Sequence, residues 1–154
     1  MTLDALIAPD AVVPQLRAGS KKQLVNELAS RAGERFALDA RSTFEALMER
    51  ERLGSTGMGR GVAVPHARMA GVDRIRGLFA RLDKGVEFDA ADGAPVDLVF
   101  LLIAPEAAGA DHLRALARVS RLLRDEGRCA KLRATADASA LYAILVEDLA
   151  SDAA

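Results

Sequence analysis

A glycine-rich loop followed by a Pro-His pair contains the residues of this chain that are best suited to covalent chemistry. The loop has glycines at positions 54, 57, 59 and 61, and a short strand, Val62-Ala63-Val64, follows it directly. This strand stops at Pro65-His66, which predicts an imidazole at the exposed end of a strand, beside free backbone N–H groups. Because the unperturbed pKa of histidine is about 6.5, such a ring is a neutral nucleophile at the pH of the cell.

The second histidine of the chain, His112, lies at the start of a predicted helix, after the break Ala108-Gly109-Ala110-Asp111. Helix N-termini have partial positive charge and free N–H groups, which favour a dianionic group nearby. Ser55 and Thr56 add hydroxyl groups near the loop. The glycine loop alone is also typical of a plain helix-to-strand connection, but with both histidines it favours a site that receives a phosphoryl group.

Other chemistry fits these residues less well. No Gly-Lys-Ser/Thr follows the glycines, and the order helix, loop, strand is the reverse of a dinucleotide fingerprint. The two histidines and Asp111 would supply three metal ligands, but the chain has no short-spaced ligand pair. Ser55 lacks the Gly-x-Ser-x-Gly elbow of a Ser-His-Asp hydrolase. We therefore expect no metal and no cofactor.

Two predicted helices precede the loop and must position it. Ser20 and Asp39 stand at N-cap positions. The second helix is expected to run to about Arg52, because Gly54 ends its pattern as a C-terminal glycine does. The apolar faces are Leu24, Val25, Leu28, Ala29 and Ala32 in the first helix and Phe44, Leu47 and Met48 in the second.

The rest of the chain predicts strands and then further helices. Strands are expected at Val12-Val13, 62–64, 77–82, 86–88 and 97–104. The last is almost continuously apolar, which is typical of a central strand covered on both faces. Helical spacing returns over 111–125, around Leu132 and in a last helix. The predicted faces are Leu113, Leu116, Ala117, Ser120 and Leu123, then Leu141, Ile144, Leu145 and Leu149. This order predicts an α/β fold, with a sheet between two helical layers, in a single domain over residues 1–154 whose last four residues fray.

Composition and charge exclude several classes of partner. The net charge of −1 provides no basic field for nucleic acid or an anionic membrane. Four arginines are therefore interpreted as a solvated helix face: Arg114, Arg118, Arg121 and Arg124. No secretory signal is visible, and no run approaches the roughly 20 apolar residues of a membrane helix. The lone Cys129 is interpreted as a small, partly buried apolar residue. We expect no membrane insertion and a cytoplasmic protein.

The sequence around His66 resembles the IIA components of the bacterial phosphoenolpyruvate-dependent phosphotransferase system, of the fructose/mannitol/nitrogen class. Their signature is an acidic residue, six positions, an apolar residue, Gly, two positions, apolar-Ala-apolar-Pro-His and a small residue. The matching residues are Glu51, Met58-Gly59 and Val62-Ala63-Val64-Pro65-His66-Ala67. Further matching segments are Ser20-Lys21-Lys22, Phe88-Asp89-Ala90, Pro95-Val96-Asp97 and His112-Leu113. The resemblance spans nearly the whole chain and implies a mixed central β-sheet flanked by helices on both faces.

The resemblance also implies the roles of the site residues. His66 would be the phospho-acceptor, attacking through Nε2 the phosphohistidine of HPr or its nitrogen-type relative. His112 matches the second active-site histidine, which orients the reacting group, and Arg50 matches the arginine that contacts the phosphoryl oxygens. We expect the other ring nitrogen of His66 to donate to a backbone carbonyl, and loop amides to help stabilise the oxygens. Ala67 and Arg68 stand where glycine and lysine are common in the family.

Two branches of the family remain open. The Gly54-Ser55-Thr56-Gly57 segment, with no fused IIB, IIC or carrier domain in 154 residues, looks like the stand-alone nitrogen-type form, whose phosphorylation state regulates target proteins. The alternative is a sugar-specific IIA component of the fructose or mannitol type, which passes the phosphoryl group to a IIB domain. In either branch, four residues are expected to form an apolar contact around the histidine or to be partly buried in the core: Leu53, Met58, Ala67 and Met69.

Overall fold

The computed structural model describes residues 1–147. The helices are α1 Leu3–Leu6, α2 Lys21–Phe36, α3 Ala40–Arg52, α4 Ala110–Arg124, α5 Glu126–Arg133 and α6 Ala138–Val146. The strands are β1 Val12–Leu16, β2 Gly57–Gly59, β3 Val62–Ala63, β4 His66–Met69, β5 Arg76–Val86 and β6 Val96–Pro105. A single 3₁₀ turn, Pro9–Ala11, precedes β1.

Within these residues, six strands form one mixed sheet. Five of them follow the order β1-β5-β6-β3-β2, and the sixth, β4, also pairs with β6. β5 runs antiparallel to the central β6, whereas β1 runs parallel to β5. β3 and β4 lie one after the other along the same edge of β6, both parallel to it, and β2 pairs antiparallel with β3. The predicted α/β class with a mixed sheet is therefore confirmed.

The core lies on both faces of β6. Consecutive residues 98–104 of this strand are fully buried, although their side chains point alternately to opposite faces. Helices must therefore cover both faces. α2 and α3 pack together, with α2 against β5, whereas α4, α5 and α6 form a second group with α5 against β6. Phe79 and Phe100 pair across β5 and β6, with their ring centroids 6.4 Å apart.

Side-chain caps fix where α2 and α3 begin. The Ser20 hydroxyl accepts a hydrogen bond from the Gln23 amide at 3.2 Å, and the Asp39 carboxylate accepts one from the Ser42 amide at 2.8 Å. Both N-cap predictions are confirmed, and α3 ends at Arg52 as expected. This helix end places Arg50 in the last turn, beside the glycine loop.

Three predictions about strands are wrong in detail. β1 continues through Pro14 to Leu16, and residues 86–88 form no separate strand because Val86 is the last residue of β5. His66 does not end the strand of residues 62–64 but begins β4. Pro65 has no N–H and interrupts the ladder, while its carbonyl still accepts from the Leu102 amide at 3.0 Å and keeps β4 in register with β6.

The predicted inner face of α4 is also wrong. The buried residues are His112, Ala115, Val119, Leu122 and Leu123, of which the prediction included Leu123 alone. Leu113 is 63% exposed, and Leu116 is half-buried. Both sets of residues have helical spacing, and a shift of one residue rotates the face by roughly 100°. The assignment from the sequence followed the large leucines, whereas small Ala115 and polar His112 face the core.

In the last helix, the predicted Leu141 and Leu145 are buried. Leu149 and the four terminal residues predicted to fray lie outside the described residues. Cys129 is buried, and its Sγ donates to the Leu123 carbonyl at 3.3 Å. The arginines at 114, 121 and 124 are exposed and Arg118 is half-buried, as expected for a solvated face. Over residues 1–147, no helix combines the length and the apolar character needed to cross a bilayer.

Candidate active site

His66 is half-buried at the start of β4, with one ring nitrogen already committed to the backbone. Its Nδ1 lies 2.8 Å from the carbonyl oxygen of Val64. Because a carbonyl only accepts hydrogen bonds, Nδ1 carries the ring hydrogen and donates it. The lone pair is therefore on Nε2. This is the arrangement expected from the sequence, in which one nitrogen is held by a backbone carbonyl and the other is free to attack.

Arg50 reaches this nucleophilic nitrogen from the last turn of α3. Its Nε donates to His66 Nε2 at 3.3 Å, and its Nη1 donates to the Gly54 carbonyl at 2.9 Å. The guanidinium is thus held between the loop and the imidazole. A group that binds to Nε2 displaces the first of these hydrogen bonds and leaves the cation beside the group's own oxygens.

His112, in the first turn of α4, is the third predicted residue at the site. Its ring centroid lies 5.4 Å from that of His66, with the ring planes inclined by 53°. The side chain is buried, and its Nδ1 has no hydrogen-bond partner within residues 1–147. Unpaired buried N–H groups are rarer than unpaired acceptors. This favours a hydrogen on Nε2, where the ring acts as a donor.

Both imidazoles are held in the neutral form. Burial lowers the pKa of His66 below its ordinary value of 6.5, and the cations of Arg50 and Arg68 lower it further, whereas the Val64 hydrogen bond and the charge of the Glu51 carboxylate raise it. Burial also lowers the pKa of His112, and the neighbouring His66 and Arg68 act in the same direction. At neutral pH, His66 therefore keeps the lone pair that nucleophilic attack requires.

The site opens into a cleft of about 510 Å³. Its lining residues are Ala46, Glu49, Arg50, Leu53, His66, Ala67, Arg68, His112, Leu113 and Leu116. Leu53 and Leu113, which are 83% and 63% exposed, give the rim two uncovered apolar side chains. Of the predicted apolar contacts, Leu53 and Ala67 line the cleft, whereas Met58 and Met69 pack partly against the core. The sequence missed Leu113 because its α4 face was wrongly assigned to the core.

Several hydrogen-bond donors of the glycine loop are occupied by contacts within the protein. The amides of Thr56, Gly57 and Arg60 donate to the side chains of Glu51, Ser55 and Asp92, at 3.1, 3.0 and 2.8 Å. The Ser55 hydroxyl donates to the Phe88 carbonyl at 2.6 Å. These three amides are therefore not among the free N–H groups that the sequence led us to expect. Sequence reasoning also missed the structural use of Glu51, although the acidic position of the signature marked it.

Asp111, the carboxylate of the alternative metal site, has another partner. Asp111 forms an ion pair with Arg114 on the surface of α4. Across the described residues, no three His, Cys, Asp or Glu side chains are grouped as metal ligands. The chemistry at hand is that of a neutral Nε2 lone pair beside a guanidinium and a second imidazole. This set suits an electrophile that carries anionic oxygens, as a phosphoryl group does.

Comparison with known proteins agrees with this chemistry. Residues 5–148 match the family model described as phosphoenolpyruvate-dependent sugar phosphotransferase system, EIIA 2. The chain is 53% identical over 145 residues to a nitrogen regulatory protein of Bradyrhizobium diazoefficiens, covering 94% of this chain and 95% of the relative. A nitrogen regulatory protein of Pseudomonas aeruginosa is 40% identical over 146 residues, with 94% and 95% covered. The crystal structure of nitrogen regulatory protein IIA-Ntr from Neisseria meningitidis superposes with a TM-score of 0.87 at 37% identity, covering 93% of this chain and 98% of that one.

Proposed function

Because this chain belongs to the EIIA 2 family of the phosphoenolpyruvate-dependent sugar phosphotransferase system, we propose that it is a phosphocarrier of the nitrogen-related branch. In this proposal, His66 accepts a phosphoryl group from the phosphohistidine of an HPr-type carrier. The observation that carries the proposal is the His66 ring itself. Its Nδ1–H is bound to the Val64 carbonyl, and its Nε2 lone pair faces the Arg50 guanidinium.

The reaction is the transfer of one phosphoryl group between two imidazoles. The Nε2 lone pair of His66 forms the new N–P bond while the N–P bond of the carrier breaks, and the electron pair of that bond returns to the carrier's ring nitrogen. The transition state is loose, so the protein contributes mainly positioning and charge stabilisation. The Val64 carbonyl supports the positive charge that builds on the His66 ring, because it accepts the Nδ1–H.

Arg50 and His112 stabilise the phosphoryl oxygens. The guanidinium hydrogen-bonds Nε2 before transfer and is therefore within reach of the oxygens once phosphorus occupies that position. His112 lies beside His66 in the cleft as a neutral ring, and it can donate from Nε2 without adding charge. We assign His66 as nucleophile, and Arg50 and His112 as the groups that bind the transferred group.

The rim of the cleft contacts the carrier. Because His66 is only half-exposed, the carrier's phosphohistidine must enter the cleft and its surroundings must touch the rim. Leu53 and Leu113 are the exposed apolar side chains at this rim. Apolar contacts of this kind suit a transient complex, in which a small interface forms and dissociates in each cycle.

The nitrogen branch is favoured by the relatives of the chain. The two relatives described above are named nitrogen regulatory proteins and are covered over nearly their whole length. We therefore propose that phosphorylation of His66, which adds roughly −1.5 to −2 charges, controls the binding of target proteins in the cytoplasm. The alternative of a sugar-specific IIA component is not favoured. It predicts fast onward transfer from phosphorylated His66 to a fructose- or mannitol-type IIB domain, which a radiolabelled chase with purified IIB domains measures.

Phosphorylation of His66, which both branches of the family require, is tested by incubating the protein with phosphoenolpyruvate, enzyme I and an HPr-type carrier. We expect one acid-labile phosphoryl group per chain in the parent protein and none in H66A. The matched control is H112A, which keeps the nucleophile and is expected to label more slowly but to completion. Labelling of H66A at the parent rate would show that His66 is not the acceptor.

A further inference from the structure

We infer that Glu51 is a positioning residue for this transfer, because its buried carboxylate fixes both the carbonyl that orients His66 and the loop residue that holds Arg50. The inference rests on the proposed function for its rate measurements. Its structural readout, the tautomer of His66, requires no transfer at all.

The Glu51 carboxylate is buried at the end of α3 and receives three donors. Its Oε1 accepts from the Thr56 amide at 3.1 Å and lies 3.0 Å from Lys21 Nζ. Its Oε2 accepts from the Thr56 hydroxyl. The side chain is 2% exposed, so each of these interactions takes place away from solvent. A carboxylate only accepts hydrogen bonds, and it matches this set of donors in full.

The first connection to the site runs through Thr56. The Thr56 carbonyl accepts from the Val64 amide at 3.1 Å, and the Val64 carbonyl accepts from His66 Nδ1 at 2.8 Å. Thr56 thus links the Glu51 carboxylate to Val64, because its amide donates to the carboxylate and its carbonyl accepts from the Val64 amide. Loss of the carboxylate frees Thr56, and the carbonyl that fixes the His66 tautomer loses its support.

The second connection runs through the backbone that follows Glu51. The Gly54 amide donates to the Glu51 carbonyl at 3.1 Å, and the Gly54 carbonyl accepts from Arg50 Nη1 at 2.9 Å. Since Thr56 and Gly54 belong to the same short segment, anchoring Thr56 also limits where the Gly54 carbonyl lies. Glu51 therefore holds the Val64 carbonyl at His66 Nδ1 and, through the Gly54 carbonyl, the Arg50 guanidinium at His66 Nε2.

Lys21 makes burial of this carboxylate tolerable. Its ammonium, from the first turn of α2, lies 4.7 Å from the centroid of the Phe88 ring and 3.7 Å from the carboxylate of the exposed Asp89. The segments Ser20-Lys21-Lys22 and Phe88-Asp89-Ala90, which the sequence matched to the family outside its signature, thus meet at Glu51. A paired carboxylate here avoids the large cost of an isolated buried charge.

The test compares E51Q and T56V with T56S and E45Q. Glutamine keeps the shape of Glu51 but replaces one acceptor oxygen with an NH₂ group, which faces one or two of the three donors. T56V removes one of the two bonds from Thr56, whereas T56S retains both and is the conservative rescue. Glu45 is an exposed carboxylate of the same helix, paired with Arg41, so E45Q controls for the loss of a negative charge on α3.

We expect E51Q and T56V to lower the single-turnover rate of phosphoryl transfer by about 10- to 100-fold. The KM for the carrier should change by less than about threefold, because the rim of the cleft is untouched. Ring ¹⁵N shifts of His66 should show a new population with the hydrogen on Nε2. T56S and E45Q should match the parent in rate and tautomer. A purely structural role would lower the melting temperature without changing the tautomer of the folded protein.

The inference is wrong if folded E51Q and T56V keep the Nδ1–H tautomer, whatever their rates, or if their rates stay within about twofold of the parent. If E51Q does not fold, T56V decides the matter, because it leaves the ion pair with Lys21 in place. If the parent itself takes up no phosphoryl group, the proposed function fails, whereas the tautomer measurement still decides whether Glu51 positions the ring.

Discussion

At the scale of single residues, the proposed nucleophile His66 has a different hydrogen-bond partner at each of its two ring nitrogens. The Val64 carbonyl takes the Nδ1–H, and the Arg50 guanidinium approaches Nε2 as a donor. Partial burial of the ring makes its protonation unfavourable and lowers its pKa, and the cation beside the ring acts in the same direction. The attacking nitrogen is therefore both unprotonated and oriented before any partner arrives.

The lowered pKa of His66 predicts how transfer depends on pH. The rate needs the neutral ring, which is lost only as pH falls through the folded-state pKa, below the ordinary value of 6.5. We expect the rate to decline on acidification with a midpoint below pH 6.5, lower than that of an unperturbed imidazole. Single-turnover transfer and an NMR titration of the His66 ring measure it. The unfolded ring takes up its proton near 6.5, so the free energy of unfolding should also decrease as pH falls below that value. A rate that declines already above pH 7 would contradict this prediction.

Replacement of Arg50 tests the guanidinium directly. Arg50 makes one bond to His66 and another to Gly54, and a lysine ammonium cannot reproduce this planar geometry. We expect R50A to lower the transfer rate by about 100- to 1,000-fold, and R50K to recover only a small part. R50A should also raise the pKa of His66, since the cation lowers it. The control is R52A, because Arg52 is exposed and pairs with Glu49. Equal rates in R50A and R52A would exclude the proposed role of Arg50.

At the scale of elements, the last turn of α3, the first turn of α4 and the start of β4 form the site. The caps of α2 and α3 were predictable, because Ser20 and Asp39 carry a local signal that depends on residues only three positions away. The break between β3 and β4 and the inner face of α4 were not. Both are decided by tertiary contacts, namely the pairing of Pro65 with Leu102 and the burial of His112.

The candidate site was likewise predictable from the sequence only in part. His66, His112 and Arg50 were found from the signature and the resemblance, and the structure brings all three together. Glu51 was recognised only as a matching position, because its proposed role depends on the distant Lys21 and on the conformation of the loop around Thr56. Leu113 was assigned to the core. Its exposure follows from the orientation of α4, which no local pattern in the sequence specifies.

The corrected orientation of α4 predicts that two leucines of this helix affect different properties, one carrier binding and the other stability. L113A removes an exposed side chain at the rim of the cleft, so we expect a several-fold higher KM for the carrier with an unchanged melting temperature. L122A removes a buried side chain and should lower the free energy of unfolding by about 2–5 kcal/mol. Carrier titrations and urea denaturation separate the two. If L113A destabilised the protein as much as L122A, Leu113 would face the core, as the sequence predicted.

At the scale of the whole molecule, the site is attached to a sheet whose central strand is fully buried. β6 is buried on both faces, and the glycine loop is tied to α5 by the ion pair of Arg60 with Glu126. Arg133 Nε donates to both carboxylate oxygens of Asp97, and its Nη2 donates to the Arg60 carbonyl. A charge added at His66 therefore acts on a surface that is already fixed, rather than on a segment that must first become ordered.

This rigidity predicts a local response to phosphorylation. Loading His66 adds roughly −1.5 to −2 charges to a chain whose net charge is −1, so the surface around the cleft changes its electrostatic potential strongly. We expect amide shift changes in a ¹H–¹⁵N spectrum to be confined to the residues that line the cleft and to the first turn of α4. Helix α6, which packs on β1, should keep its shifts. Hydrogen exchange of β6 should stay equally slow in both forms, because its burial does not depend on the phosphoryl group. Large shift changes throughout α6, or faster exchange in β6, would instead mean that phosphorylation rearranges the fold. Target proteins would then recognise a conformation, and not a charge at the rim.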